Sequence, residues 1–478
     1  MRGSYCLVFF LFLIGCANVD YRGEQKGVLQ DISSSKFNEA YKKSIDPEFL
    51  NEKESILLRR LEQGTLAYYS GSNYVALKYF DEAYSISMDL YTKSLKNKIL
   101  AGLDENHDVY YGLPYEIALI RFYQSVLHYK IFLQQSYEEG EYATPDRKII
   151  KIKAKKLTVN EARNHLFASR SVIMDWDNFN NQINEKHRYI DAQTEILLKT
   201  WGSFVHSKIG TRDDKRIAID LLKNAKELLN TRLMMLSSFN TRSEQWYLYL
   251  KNNSSTDIKD RERFVNKTNL TTALEKHIDD NIEMLQKNDS NNVSILIFSE
   301  TLPLKTADKI LFLDFPDGIL LNIRYETLDI KSKPLSKAYA LRVKDKNNVN
   351  ISHHNPSLIA PLTDVAFASI NNTKQSVNLK AHGRVAAKVA SYLVVANSSE
   401  GDQLAVLGAK LAMLAAIDDQ KVDTRQWLSL PAGVFMANLS LPNGKYTIEL
   451  EDITTGKVVQ KKAIEVKEKD VLTEFFNF

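Results

Sequence analysis

From about residue 37 to residue 288 apolar positions recur at three- and four-residue spacing, proline is scarce, and glycine falls mainly between the periodic stretches. That period lays an apolar stripe along one face of a helix and predicts a helical region. Tyr115 to Phe132 is a long amphipathic stretch of this kind, with Ala118, Phe122, Val126 and Tyr129 on one face. Near residue 290 the period changes. Val293–Phe298, Lys309–Leu313, Ile319–Tyr325 and Ala338–Val343 are short runs rich in Ile, Leu, Val and Tyr, punctuated by Pro303, Pro316, Gly318 and Pro334, and they predict strands. Leu362–Ile370 fits a strand or a short helix. Two Ala-rich apolar helices follow, Leu379–Ala396 and Gln403–Ile417. With Lys380, Arg384, Lys388 and Lys410 among them, they are expected to form a buried hairpin and not a membrane hairpin. Val434–Leu441, Tyr446–Glu451 and Val458–Val466 close the chain as strands, the first two joined through Pro442-Asn443-Gly444, whose Asn-Gly step favours a tight hairpin.

Within the helical region Gly64, Ala76, Phe80 and Ala83 stand at offsets 0, 12, 16 and 19. This is the spacing of a tetratricopeptide helix–turn–helix, in which small residues let two antiparallel helices approach and an aromatic ring fills the gap. Ala218, Leu222 and Ala225 repeat the second-helix spacing within Ile217–Leu229, after Trp201–Lys208 as a first helix. The other helices share no regular period, which predicts an irregular superhelix. Residues 137–160, with the basic run Lys148–Lys156, and residues 251–268 are expected to be solvated loops or helix faces. The fold expected is therefore multidomain, α then α+β: a TPR-like helical superhelix over 37–288, then a β-rich α+β domain over 289–478 with an inserted helical hairpin.

The amino terminus changes the picture most. Arg2 precedes the apolar run Leu7–Ile14, which has the size of a signal-peptide core and is too short to span a bilayer. Leu13-Ile14-Gly15-Cys16 resembles the lipobox of bacterial lipoproteins, which implies cleavage of residues 1–15 and acylation of Cys16. The chain contains two cysteines, Cys6 and Cys16; processing would remove one and lipid would consume the other, leaving no thiol in an oxidising compartment. Two or three acyl chains would hold the protein stably to a membrane. Ala17 follows where an Asp would retain a Gram-negative lipoprotein at the inner membrane, so the resemblance implies the periplasmic face of the outer membrane. The polar stretch 16–36 is expected to be a flexible tether.

Three passages resemble a family of bacterial tetratricopeptide-like outer-membrane lipoproteins of uncharacterised activity: Asp108-Val-Tyr-Tyr-Gly-Leu-Pro-Tyr-Glu116, Leu302-Pro-Leu-Lys305, and Asp423-Thr-Arg-Gln-Trp427-Leu-Ser-Leu-Pro431 followed by Leu441-Pro-Asn-Gly-Lys-Tyr446. With the lipobox and the repeat spacing they cover most of the mature chain in order. The Asp-Thr-Arg-x-Trp…Leu-Pro passage is the most specific. The resemblance implies a periplasmic protein anchored to the outer membrane and carries no catalytic residue.

Composition sets few further limits. A content of 44% hydrophobic and 26% charged residues with net charge +4 is that of a globular protein, and it lacks the basic excess of a nucleic-acid binder. Asp423 and Arg425 allow two readings: an arginine fork offered to a carboxylate such as a peptidoglycan stem peptide, or a hydrogen-bonded corner with Trp427 packed inside, which is favoured. Asp104-Glu-Asn-His-Asp108 alternates oxygen ligands but lacks the glycine and distal glutamate of a calcium loop. His353-His354 has no further metal ligands at useful spacing and reads as a surface loop. No motif of nucleophilic, nucleotide-binding or zinc chemistry occurs, while acids such as Glu116 leave glycan cleavage open. No catalytic residue, metal or cofactor is expected. The favoured function is a non-enzymatic protein-interaction scaffold of the cell envelope, with Tyr68, Tyr69, Tyr110 and Tyr111 as candidate aromatic anchors. The alternatives are an enzyme or synthase activator acting on peptidoglycan, or a part of a secretion or motility apparatus.

Overall fold

A computed structural model describes residues 21–97, 109–180, 188–238, 267–287, 291–312, 323–330, 335, 337–398, 403–418, 423–453, 455–467 and 470–478. In chain order it contains α1 (Tyr21–Ser33), α2 (Phe37–Ser44), α3 (Ile56–Tyr69), α4 (Asn73–Asn97), α5 (Pro114–Gln134), β1 (Ser136–Tyr137), β2 (Gly140–Ala143), β3 (Ile149–Ile152), β4 (Lys155–Lys156), α6 (Val159–Asn180), α7 (Arg188–Ile209), α8 (Arg212–Ser238) and α9 (Lys267–Gln286). Then come β5 (Val293–Thr301), β6 (Lys305–Phe312), β7 (Ile323–Ile330), β8 (Tyr339–Asp345), β9 (Asn350–His354), β10 (Ser357–Ala360), α10 (Leu362–Ser398), α11 (Gln403–Asp418), β11 (Pro431–Leu439), β12 (Gly444–Asp452), β13 (Lys457–Val466) and β14 (Val471–Asn477). Helices come first and strands dominate later, an α+β chain.

Two compact units divide the chain, but not near residue 289. The larger gathers Gln25–Pro303, Ser332–Ser369 and Trp427–Phe478, while Leu304–Lys331 and Ile370–Gln426 fall in the smaller. The helices of the first half and most of the late strands therefore share one unit, contrary to the separate domains expected from the change of period.

The larger unit has three layers. One sheet has the order β10-β11-β5-β14, antiparallel except for the parallel β5–β14 pair. A second, antiparallel throughout, has the order β13-β12-β8-β9. Val293, Ile295 and Ile297 of β5, with Phe435 of β11, pack against Leu341 and Val343 of β8 and Ile448 and Leu450 of β12 to form the core between the sheets. On its other face β5 turns Phe298 toward Tyr68 and Tyr123 of the helical layer. Being covered on both faces, β5 reads through Ile295–Phe298 as a continuous apolar run rather than an alternation. The outer face of β12 is polar, and Glu449 lies between Lys344 at 2.9 Å and Lys461 at 2.7 Å.

In the smaller unit β6 and β7 form an antiparallel pair, Lys305↔Ile330 through Phe312↔Ile323, and α11 packs on β7. Helices α10 and α11 meet through Val385, Val389 and Tyr392 on one side and Val406, Ala409 and Met413 on the other.

Several local expectations need correction. The segment taken for a tether holds α1, whose Val28 and Ile32 are buried together with Gln25, which donates to Glu62 at 3.2 Å. Residues 137–160 contain two small ladders, β1–β4 and β2–β3, with Tyr142 buried. His353 and His354 lie in β9, where His354 Nε2 contacts Ser352 Oγ at 3.0 Å. Asn443-Gly444 does not close a hairpin: β11 and β12 belong to different sheets, and the turn carries the chain between them. Leu362–Ile370 opens the 37-residue helix α10. The apolar hairpin is also not buried, since Leu393, Val394, Val395, Leu404, Leu407 and Leu411 are exposed. Strands β9 and β10 are short, and Glu474 interrupts the apolar run of β14, so none of the three carries a clear sequence signal. Cys16, Asp104–Asp108 and most of 251–268 lie outside the described residues.

Candidate functional site

The first helical hairpin is built on close contact. A Cβ added to Gly64 of α3 would stand 3.0 Å from the Phe80 ring of α4, so glycine lets the aromatic ring lie closer to the helix than a side chain there would without a shift. Ala76 and Ala83 are fully buried on the same side of α4. Glu62, Thr65 and Tyr69 sit at i, i+3 and i+7 and therefore share one face of α3. All three bond the turn at Trp427–Ser429, just ahead of β11. The Glu62 carboxylate accepts the Leu428 N–H at 2.6 Å and the Ser429 N–H at 3.2 Å, Trp427 Nε1 donates to Thr65 Oγ1 at 2.9 Å, and Tyr69 Oη donates to the Ser429 carbonyl at 2.9 Å. The Trp427 ring lies 6.0 Å from both Phe80 and Tyr123. This face of α3 is thus filled by the protein's own chain.

This placement corrects the aromatic anchors. Tyr68, Tyr69, Tyr110 and Trp427 are buried, and of the proposed aromatic contacts only Tyr111 is exposed, at 44%. Tyr68 donates to Glu474 of β14, whose other oxygen meets Lys130 Nζ at 2.5 Å. Burial first, then the Glu474 charge, lifts the Tyr68 hydroxyl well above its ordinary pKa. Burial likewise pushes the Glu62 carboxyl up to about 7 despite its bonds to Ser429 and Leu428. Tyr110 Oη donates to Glu116 at 2.8 Å, and Glu116 accepts the Leu113 N–H at 2.7 Å. Glu116 thus closes the amino terminus of α5, with Pro114 in the first turn.

In the smaller unit two of the passages singled out in the sequence meet. The Lys305 N–H donates to Gln426 Oε1 and Lys305 Nζ to the Arg425 carbonyl, both at 2.9 Å. Asp423 takes the Arg425 edge bidentately, Nε to Oδ1 at 2.9 Å and Nη2 to Oδ2 at 2.8 Å. Burial raises the Asp423 pKa, but the bonds and charge of Arg425, with Lys305, outweigh it and leave the carboxyl below its ordinary value. That edge of the guanidinium is committed to Asp423, so the corner reading fits and the ligand-fork reading does not. Among the described residues no three His, Cys, Asp or Glu side chains converge as metal ligands would.

The chain matches no protein-family model, no curated protein and no solved structure.

The second hairpin, α7 with α8, buries Ala218, Leu222 and Ala225, and a Cβ on Gly202 would come within 2.8 Å of Ile173 on α6. At its turn Asp214 gathers His206 Nδ1 at 2.8 Å, Thr211 Oγ1 at 2.5 Å and Arg170 at 3.3 Å, which fixes the start of α8. Two depressions adjoin this hairpin. The crevice beside Thr200, Lys208, Asn291 and Asn438 encloses about 30 Å³, room for one water and no ligand. The other is an open groove of about 600 Å³ on α8, where Arg212, Lys215, Arg216 and Lys223, with Asp220 among them, surround Ile219 and Leu285; Arg216 is paired with Asp213 at 3.7 Å. Sequence reasoning missed it. Its signal is present: cations at 212, 215, 216 and 223 recur at spacings that share one helix face.

Proposed function

We propose that the protein is a lipid-anchored lipoprotein of the tetratricopeptide-like outer-membrane family and acts as a non-enzymatic scaffold on the periplasmic face of that membrane. Its two close-packed helical hairpins are read as irregular repeats, and its partner surface is the basic groove of α8. The observation that carries this reading is the groove itself: four cations and one acid, Asp220, around an apolar floor, in a chain whose first hairpin is filled by Trp427–Ser429. An acidic segment of a partner protein with one or two apolar side chains suits it, since opposite charge steers the encounter and apolar burial holds the complex. The lipobox at Cys16 and the repeat spacing support the location.

The test places a photo-crosslinking residue at Ile219 in cells. One discrete adduct is expected, lost in a Lys215→Glu, Lys223→Glu double variant; absence of any specific adduct sinks the scaffold. Palmitate incorporation that vanishes on Cys16→Ser checks the anchor separately.

A further inference from the structure

Helix α11 carries two apolar stripes and packs only one against α10, and α10 nears its end in an exposed apolar patch. In α11, Val406, Ala409 and Met413 recur at i, i+3 and i+7 and pack against α10. Leu404, Leu407 and Leu411 recur with the same spacing on another face and are 81%, 52% and 59% exposed. In α10 the packed residues are Val385, Val389 and Tyr392. Directly after them Leu393, Val394 and Val395 are all exposed. Three consecutive residues fan over about 200° of helix circumference, so no single partner helix could cover them. A helix apolar all round belongs in a core or at a membrane, and this pair has solvent on its second stripe.

Charge selects the occupant. From Ile370 to Ser398 the sequence contains Lys374, Lys380, Arg384 and Lys388 and no acidic residue, and from Gln403 to Ile417 its one charged residue is Lys410. Over these two stretches the hairpin has leucine and valine outward and positive charge alone, its acids Asp364 and Asp418 standing at the two far ends. Such a face complements an anionic lipid surface. No described helix is long and apolar enough to cross a membrane, and Glu400 and Asp402 lie in the connection between the helices, so the geometry suits a hairpin lying along the interface, not one driven through it.

We infer that the α10–α11 hairpin is a membrane-docking element that seats Val394, Leu404, Leu407 and Leu411 in the headgroup region of an anionic phospholipid bilayer. This contact is additional to the acyl chain and does not depend on it. It would hold the smaller unit against the membrane at a second point.

The test uses the chain from Ala17 onward, which keeps every described residue and carries no acyl group, so that failure of the lipid anchor cannot imitate failure of the hairpin. In flotation with phosphatidylglycerol–phosphatidylethanolamine vesicles the protein is expected to rise with the lipid, less so at high salt, and to remain behind with phosphatidylcholine alone. The triple variant Val394→Asp, Leu404→Asp, Leu411→Asp should weaken partitioning at least about a hundredfold, each buried aliphatic side chain being worth about tenfold. Its far-ultraviolet dichroism should be unchanged. As a second measurement, a fluorophore on Leu404→Cys, the sole thiol of this chain, should be quenched by brominated acyl chains. Absence of flotation, equal flotation of the triple variant, or equal binding to phosphatidylcholine overturns the inference. So does a dimer in sedimentation that the triple variant dissolves, because the apolar face would then belong to a second copy.

Discussion

The hairpins α3–α4 and α10–α11 are both rich in small and apolar residues, yet they use them differently. In α3–α4 the space freed by Gly64 is filled by Phe80, whose ring stacks on Tyr123 at 5.0 Å. In α10–α11 a Cβ on Gly383 or Gly408 would meet nothing within 4 Å, and the leucines of one stripe face solvent. The same residue type serves close packing in one hairpin and leaves open surface in the other. What separates them is whether a large side chain from a neighbouring element arrives to fill the gap.

Four tests would break or sharpen that contrast, beginning with the most damaging. Trp427→Ala removes the ring that lies beside Phe80 and Tyr123 and leaves Thr65 without its indole donor. Loss of about 3–5 kcal/mol is expected for a large buried aromatic, read as a lower urea midpoint. Gly64→Val should cost about 1–3 kcal/mol by overpacking against Phe80, whereas Gly383→Ala and Gly408→Ala, in open helix, should each stabilise by about 0.5–1 kcal/mol. If Gly64→Val proves neutral in thermal unfolding, the close-packed account of α3–α4 fails.

The third concerns Glu62, which ties α3 to Leu428 and Ser429. Its folded pKa of about 7 exceeds the ordinary 4.5 because burial disfavours the charged form. A carboxyl raised in this way favours the folded state while protonated; the contribution is whole below about pH 4.5 and is lost as pH rises through about 7. Stability of the wild type relative to Glu62→Gln should therefore decline across that window and level off above it. A flat difference between pH 4.5 and 7 would remove Glu62 as the titrating group. The smallest effect is expected for Leu407→Gln, within about 0.5 kcal/mol in the absence of lipid, as for any exposed position; a larger loss would mean that the outer stripe is packed in solution.

Much of the helical layer was legible because its cause is local. Glycine and alanine at repeat spacing, with an aromatic at the right offset, announce a close hairpin, and Gly64 and Phe80 do meet. The strands of the sheet sandwich were legible where one face is apolar, as in Ile448 and Leu450 of β12. What escaped is non-local. The burial of Tyr68, Tyr69 and Trp427 depends on residues hundreds of positions apart, and an aromatic meant for a core looks the same in sequence as one meant for a partner. The meeting of Lys305 with Arg425 and Gln426 is likewise invisible to periodicity. Asn443-Gly444 misled for a related reason: a tight turn signals a reversal of direction, and the choice between pairing in one sheet and crossing to another is made by the tertiary core.

The strand β14 has a consequence for how the chain reaches this state. Tyr68 is bonded to Glu474 across 406 residues and Trp427 to Thr65 across 362, while Phe476 of the same strand lies against Phe37, Tyr69 and Phe298. Closing loops of that length precedes any gain from the contacts and makes folding slow. A folding intermediate in which the helical layer and β5 are in place still exposes Tyr68, Tyr69 and Phe298 until β14 docks. Such an intermediate is prone to aggregate until β14 pairs with β5.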